Sequence, residues 1–175
     1  MFKRKPKTFK MGAKNLIIVR HGKSSWEYAN VDDIDRPLKE RGINDAHEMA
    51  SRIKNEIEHI DLILSSSADR ALHTANIFAR ELKIPSFKIK ILEDIYFADE
   101  GELLQMVKSI NNEINTVLLF GHNPTFTIFA NYFVKSPLDD LPTSGVVLLS
   151  FDIEDWKDLD KSKVISQKVD YPKKK

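Results

Sequence analysis

The stretch Leu16-Ile17-Ile18-Val19-Arg20-His21-Gly22 decides the fold class of this chain. Residues 15–19 form a continuous, largely β-branched run, which predicts a strand buried on both of its faces. Charged and small residues follow that run directly, beginning at Arg20. Because open α/β sheets carry their sites outside the carboxyl ends of the strands, we expect functional side chains at this point.

Short apolar runs alternate with longer amphipathic segments along the rest of the chain. The alternation predicts a parallel or mostly parallel sheet that is covered by helices on both faces. The apolar spacing predicts helices over residues 38–57, 68–82, 101–110 and 124–134, and strands over residues 61–64, 87–92, 116–120 and 146–151.

Length and composition restrict the class of protein. A chain of 175 residues is the size of one domain, and the absence of cysteine excludes disulfides, thiolate catalysis and cysteine-based zinc sites. The formal net charge of +1 argues against nucleic acid as a partner. The apolar runs are too short to cross a bilayer, so no membrane partner is expected. We expect a cytoplasmic protein, with the oligomeric state open and a monomer allowed.

Both ends of the chain are rich in lysine. We predict a basic N-terminal tail over residues 1–14, a folded domain over residues 15–156, and a C-terminal extension with a basic tail over residues 157–175. Met11 is an alternative start, because the strand pattern begins only after it.

Three polar clusters follow three predicted strands. Arg20-His21-Gly22-Lys23-Ser24 follows the first, residues 65–70 follow the second, and Gly121-His122-Asn123-Pro124 follows the strand over residues 116–120. We expect Asn123 to cap the next helix, with Pro124 at its first position. His122 would then stand just outside a helix N-terminus, where anions are favoured.

These side chains meet the requirements of a phosphoryl group. Arg20 and Arg70 can clamp its oxygens from two sides, since guanidinium binds phosphate as a planar fork. The neutral imidazole of His21 is a competent nucleophile, provided that a backbone carbonyl fixes the tautomer of its other nitrogen. His122, protonated near phosphate, would stabilise the equatorial oxygens. Gly22 would permit a close backbone approach.

Each cluster also has an ordinary structural interpretation. A Gly-His-Asn-Pro turn can simply begin a helix, and Arg70 can be a solvated helix residue. The joint occurrence after three strands favours the phosphate site. His47 and His59 are expected to be structural or surface residues, and His73 more often packs than faces the site. No carboxylate has a ligand spacing beside His21 or His122, so neither metal nor cofactor is expected.

The motifs resemble the histidine phosphatase superfamily, which includes phosphoglycerate mutases and acid phosphatases, and within it the small SixA-like phosphohistidine phosphatases. The resemblance covers residues 15–156 and implies a three-layer α/β/α fold with a mixed, mostly parallel sheet. It also implies that His21 accepts the phosphoryl group in a pocket formed with Arg20, Arg70 and His122. The matching segments are residues 16–26, 35–38, 41–42, 65–66, 70–71, 119–124 and 141–145, together with Thr74.

Departures from the family pattern narrow the expected substrate. Mutases have asparagine where Glu27 stands here, and His73 replaces a frequent glutamine. Larger members supply a carboxylic acid from an inserted segment for which this chain has no room. The nearby carboxylates follow the third strand, and Glu93 is the first candidate for an acid: Glu93, Asp94, Asp99 and Glu100. Ser24 and Ser144 are further candidates for contact with substrate.

A site without a strong acid suits a labile P–N bond, because imidazole leaves readily once protonated by solvent, whereas an alkoxide needs a general acid. We therefore expect a phosphatase that acts on phosphohistidine, on a phosphorelay protein. The alternatives are a small-molecule phosphomonoesterase, weakly a mutase, and a non-catalytic phosphate-binding module.

Overall fold

The computed structural model describes residues 13–27 and 30–172. Residues 1–12 and 173–175, which contain most of the lysines of the predicted basic tails, lie outside that part of the chain. Six strands form one sheet in the order β3-β2-β4-β1-β5-β6. The strands are β1 (Lys14–Arg20), β2 (Leu62–Ser66), β3 (Ile89–Leu92), β4 (Thr116–Gly121), β5 (Val146–Phe151) and β6 (Val164–Asp170).

The sheet is mixed and mostly parallel. β4 pairs in parallel with both β1 and β2, and β2 pairs in parallel with β3. β5 is antiparallel to β1, and β6 is antiparallel to β5. Every strand except β5 therefore runs in one direction, and the predicted mixed sheet is confirmed.

Helices cover both faces of the sheet. Leu16 and Ile18 of β1 pack on the side of the helices Glu100–Lys108 and Thr125–Asn131, whereas Ile17 and Val19 pack on the side of the helices Glu40–Ile53 and Asp69–Glu81. This division follows from the alternation of side chains along a strand. The predicted three-layer α/β/α fold is confirmed. The helices are α1 (Glu40–Ile53), α2 (Asp69–Glu81), α3 (Asp94–Phe97), α4 (Glu100–Lys108) and α5 (Thr125–Asn131).

The helices follow the predicted apolar spacing and are shorter than predicted. α1 buries Ala46, Met49, Ala50 and Ile53 on one stripe, which is the spacing of an amphipathic surface helix. α4 begins with a capping box in which Asp99 and Glu102 each bond the other's backbone N–H. In the described part of the chain, no helix combines the length and the apolar character that a membrane span requires.

β6 is the largest difference from the sequence prediction. The sequence predicts a C-terminal extension that includes residues 164–170, yet these residues pair with β5 from Val146↔Asp170 to Phe151↔Val164. The segment reads VISQKVD and is only partly buried, as expected for an edge strand. The half-polar pattern of this segment does not predict a buried strand. It forms a strand because it pairs with β5. The extension after Trp156 therefore contains part of the sheet.

Candidate active site

The three predicted clusters lie side by side because β2, β4 and β1 are adjacent and parallel. Arg20 of β1 is in register with Gly121 of β4, and the His21 N–H donates to the Gly121 carbonyl at 3.1 Å. This ladder brings the two histidines together, with the ring centroids of His21 and His122 5.0 Å apart. The carboxyl ends of the central strands β1 and β4 therefore carry a pair of imidazoles.

His21 is held as a neutral imidazole. Its Nδ1 is 2.7 Å from the Gly22 carbonyl oxygen, so the ring proton resides on Nδ1 and the lone pair on Nε2. Burial, together with the positive charges of Arg70 and Arg20, lowers the pKa of His21 to about 4, against the opposing effect of the Gly22 hydrogen bond. Near neutral pH, Nε2 of this ring is therefore a free nucleophile.

Gly22 supports His21 from behind. Its N–H donates to Thr74 Oγ1 at 2.9 Å, while its carbonyl accepts the bond from His21. A Cβ on Gly22 would lie 2.8 Å from the Gly42 carbonyl oxygen, so only glycine allows α1 to approach this closely. The close approach expected at Gly22 is thus an approach of helix α1.

His122 is oriented by Ser66 at the end of β2. Its Nε2 is 2.8 Å from Ser66 Oγ, which also accepts the Ala68 N–H at 3.3 Å. If the serine hydroxyl donates to Nε2, the proton of the neutral ring resides on Nδ1, where it can be donated to an anion. Burial, together with the charges of His21 and Arg70, lowers the pKa of His122 to about 3. The protonation expected for His122 therefore requires a bound anion, which would raise this pKa.

Asn123 does not cap α5, contrary to the sequence prediction. The helix begins at Thr125 with Pro124 as its N-cap residue. The Asn123 side chain instead donates to Asp140 Oδ1 at 2.6 Å and to the Leu141 carbonyl at 3.1 Å. The asparagine therefore ties the β4–α5 turn to the loop before β5.

The same loop fixes Arg20. Its Nη1 donates to Asp140 Oδ2 at 2.9 Å and to the Leu141 carbonyl at 2.7 Å. Ser144 closes the loop with a left-handed backbone, at φ 58°, and its N–H donates to the carbonyls of Arg20 and His21 at 3.1 Å. The loop before β5 therefore sets the backbone of the Arg20-His21 pair.

Several buried polar atoms at this edge lack a hydrogen-bond partner among the described residues. They are Arg20 Nε, His122 Nδ1, Asn123 Oδ1 and Ser144 Oγ. Arg20 Nε, His122 Nδ1 and Ser144 Oγ can donate a hydrogen bond, and all three belong to residues that the sequence predicted for the site. Because a buried polar group without a partner is costly, donors collected in one place indicate a binding site for an acceptor-rich anion.

Arg70 is held by a carboxylate that the sequence analysis missed. Its Nη2 donates to Asp33 Oδ2 at 2.8 Å, and its Nη1 donates to the Asp33 backbone carbonyl. Tyr96 donates its hydroxyl to the same Oδ2 at 2.6 Å and packs edge-on against His122, with ring centroids 5.4 Å apart. The hydrogen bond from Tyr96 and the charge of Arg70 hold the pKa of Asp33 below its ordinary value.

Arg36 connects Asp33 to the loop after His21. Its Nη1 donates to Asp33 Oδ1 at 2.8 Å, and its Nη2 donates to the hydroxyl of Ser24. The guanidinium stacks on Trp26, 3.3 Å from the ring centre, and that indole is 73% exposed. The Ser24 side chain is therefore engaged with Arg36. Arg36 lies in segment 35–38, which resembles the family, whereas no spacing in the polar loop before α1 predicts that it pairs with Asp33.

The remaining predicted residues lie farther out. Glu93 is exposed at the N-cap of α3, where its carbonyl accepts the Tyr96 N–H at 2.9 Å. His73 is exposed on α2, His47 bonds Glu81 at 2.8 Å, and His59 pairs with Asp61 at 2.9 Å. Over residues 13–27 and 30–172, no group of three or more histidine, aspartate or glutamate side chains forms a metal site.

Comparison with known proteins places this architecture in a family. Residues 16–109, more than half of the chain, match the model of the histidine phosphatase superfamily (branch 1), and the chain belongs to that superfamily. Among solved structures, the candidate phosphohistidine phosphatase SixA from Agrobacterium tumefaciens has a TM-score of 0.72 at 28% identity, covering 79% of this chain and 92% of its own. The predicted SixA-like resemblance is confirmed.

Other similarities extend over most of the chain. The candidate phosphohistidine phosphatase SixA from Nakamurella multipartitia reaches a TM-score of 0.76 at 22% identity, over 91% of this chain and 96% of its own. An uncharacterised protein of Mycobacterium leprae is 27% identical over 144 residues, which are 75% of this chain and 86% of the relative.

Proposed function

We propose that this chain is a phosphohistidine phosphatase, which hydrolyses a P–N bond on a phosphorylated phosphorelay protein through a covalent intermediate on His21. One observation carries the proposal: a neutral His21, fixed at Nδ1 by the Gly22 carbonyl, lies beside His122 Nδ1 and Arg20 Nε, two buried nitrogens without partners among the described residues. A nucleophile and donors for a phosphoryl group thus occupy one sheet edge.

The chemistry takes two displacements at phosphorus. The His21 Nε2 lone pair attacks phosphorus, the P–N bond to the substrate imidazole breaks, and its electron pair returns to that nitrogen. Water then attacks the phosphorylated His21, the new P–N bond breaks, and inorganic phosphate is released. Arg20, Arg70 and His122 would bind the three equatorial oxygens and stabilise the charge in both transition states.

The carboxylates that contact the cluster support a P–N substrate. In the described part of the chain, Asp33 bonds Arg70 and Tyr96, and Asp140 bonds Arg20 and Asn123. Asp33 is held ionised by its lowered pKa, so it is a poor proton donor for an alkoxide. Imidazole protonated by solvent needs no such donor. Hydrolysis of phosphohistidine is therefore favoured over hydrolysis of ordinary phosphate esters.

Exposed aromatic side chains next to the site support a protein substrate. Trp26 stacks on Arg36, and Phe97, which is 83% exposed, packs on Tyr96 with ring centroids 4.7 Å apart. Tyr96 in turn contacts His122, so the Phe97 ring is one residue away from the phosphate pocket. Large exposed aromatics are typical of protein interfaces, whereas a small phosphate ester needs an enclosing pocket.

A substrate panel tests the proposal. Initial rates are compared for a phosphohistidine protein, an aryl phosphate and sugar phosphates, with wild type, His21→Ala and the matched control His47→Ala, whose imidazole is exposed on α1. We expect the highest kcat/KM on phosphohistidine, a loss of about 10³-fold or more in His21→Ala, and wild-type rates in His47→Ala.

The same panel separates the alternatives. Faster turnover of sugar phosphates would instead indicate a phosphomonoesterase. Phosphate binding without turnover of any donor would indicate a non-catalytic binding module.

A further inference from the structure

Asp33 covers the solvent side of Arg70. The Arg70 side chain is 7% exposed, whereas the side chain of Asp33, which accepts from it at 2.8 Å, is 48% exposed. Arg36 and Tyr96 donate to the same carboxylate, at 2.8 and 2.6 Å. The carboxylate therefore lies at the mouth of the pocket, between the buried phosphate-binding groups and solvent.

An ionised carboxylate at this position opposes the binding of a phosphate dianion, because like charges repel at short range. Holding Arg70 in place does not require that charge, since the backbone carbonyl of Asp33 already accepts from Nη1. The negative charge of Asp33 would instead stabilise a cation that is attached to the phosphoryl group and lies at the mouth of the pocket.

We propose that Asp33 is a specificity-determining residue that selects phosphoryl groups carried on a protonated imidazole, by accepting a hydrogen bond from the N–H of the substrate ring. This inference rests on the proposed function and adds a residue to it. The substrate ring takes a proton from solvent on its free nitrogen and becomes a cation that Asp33 stabilises. When the His21 lone pair attacks, the P–N electron pair returns to the ring, which leaves as neutral imidazole.

Arg70 can serve Asp33 and the phosphoryl group together. A guanidinium has five N–H donors, and Asp33 uses one from each terminal nitrogen, so three remain for phosphate oxygens. The Asp33 carboxylate and the phosphoryl group would therefore bind the same guanidinium and lie close to each other. A ring bonded to the phosphorus atom is then close enough to reach the carboxylate, whereas a sugar alcohol has no cationic N–H to offer it.

The experiment compares Asp33→Asn with Asp35→Asn, a matched control in the same exposed 3-10 turn. For each variant, kcat/KM is measured on a phosphohistidine peptide and on an aryl phosphate. We expect the ratio of the two values to fall about tenfold in Asp33→Asn, the loss of one charge-assisted hydrogen bond, and to stay at the wild-type value in Asp35→Asn. Asp33→Glu, which keeps the charge, should retain most of the preference.

The pH profile provides a second readout. Asp33 stabilises the cationic ring, so its removal should move the alkaline limb of phosphohistidine turnover to lower pH. Equal losses on both substrates in Asp33→Asn, with an unmoved alkaline limb, would mean that Asp33 only positions Arg70. That result would overturn the inference about Asp33 but not the proposed function. A wild type that hydrolyses aryl phosphate but no phosphohistidine would overturn the proposed function itself.

Discussion

The site has two halves that are built differently. The strand-end half consists of residues positioned by the carboxyl ends of β1, β2 and β4: Arg20, His21, Ser66, Arg70 and His122. The loop half consists of residues between β1 and α1, joined by side-chain contacts: Ser24, Trp26, Asp33 and Arg36. The first half is fixed by backbone ladders and contains the reactive nitrogens, whereas the second lies nearer solvent. We infer that the strand-end half carries out the chemistry and that the loop half selects the substrate.

Arg70→Ala should have the largest effect of the substitutions that test this separation. It removes a phosphate clamp from the strand-end half, so kcat/KM should fall about 10²-fold or more on every phosphorylated substrate. Arg70→Lys should not restore the rate, because lysine lacks the planar fork. The matched control is Arg80→Ala, an exposed arginine on the same helix. Loss on only one substrate would place Arg70 with the loop half.

The pH dependence of the free energy of unfolding should show the second-largest effect, and it tests the strand-end half. An unfolded histidine has a pKa near 6.5, and burial lowers the pKa of His21 to about 4, so the unfolded chain binds more protons between these values. The free energy of unfolding should therefore fall as pH falls, by about 2 kcal/mol from this ring between about pH 7.5 and pH 5. Urea unfolding of wild type and His21→Gln measures the difference.

Asp33→Asn is the contrast for that measurement. The pKa of Asp33 is lowered from 3.8, so its contribution is present above that pH and is lost only as pH falls below it. The variant should therefore show the wild-type loss between about pH 7.5 and pH 5. Identical pH dependence in wild type and His21→Gln would show that His21 is not buried as a neutral ring.

Phe97→Ala should have the smallest effect. Removing one exposed ring beside the pocket should lower kcat/KM for a phosphorylated protein about three- to tenfold, and should leave an aryl phosphate at wild-type rates. Phe87→Ala is the matched control, because that ring is 81% exposed, similar to Phe97, but precedes β3 at the other end of the sheet. Equal effects of the two substitutions would argue against protein docking at Phe97.

The two halves also differ in how far the sequence predicted them. The strand-end half could be inferred because a buried run such as residues 15–19 fixes where a strand ends, and parallel strand ends meet at one edge. The contact between Asp33 and Tyr96 could not, since it depends on how the segment before α1 and helix α3, 63 residues apart in sequence, are placed against each other. The residue type of Asn123 predicts a cap, but its side chain donates to the loop before β5 instead.

Direct detection of the intermediate tests whether His21 carries the phosphoryl group. Wild type is mixed with a ³²P-labelled phosphohistidine protein, denatured in alkali during turnover to preserve P–N bonds, and digested for peptide mapping. We expect transient label on the peptide that contains His21, and none in His21→Ala. Turnover of the substrate without label on that peptide, or label on another residue, would contradict it.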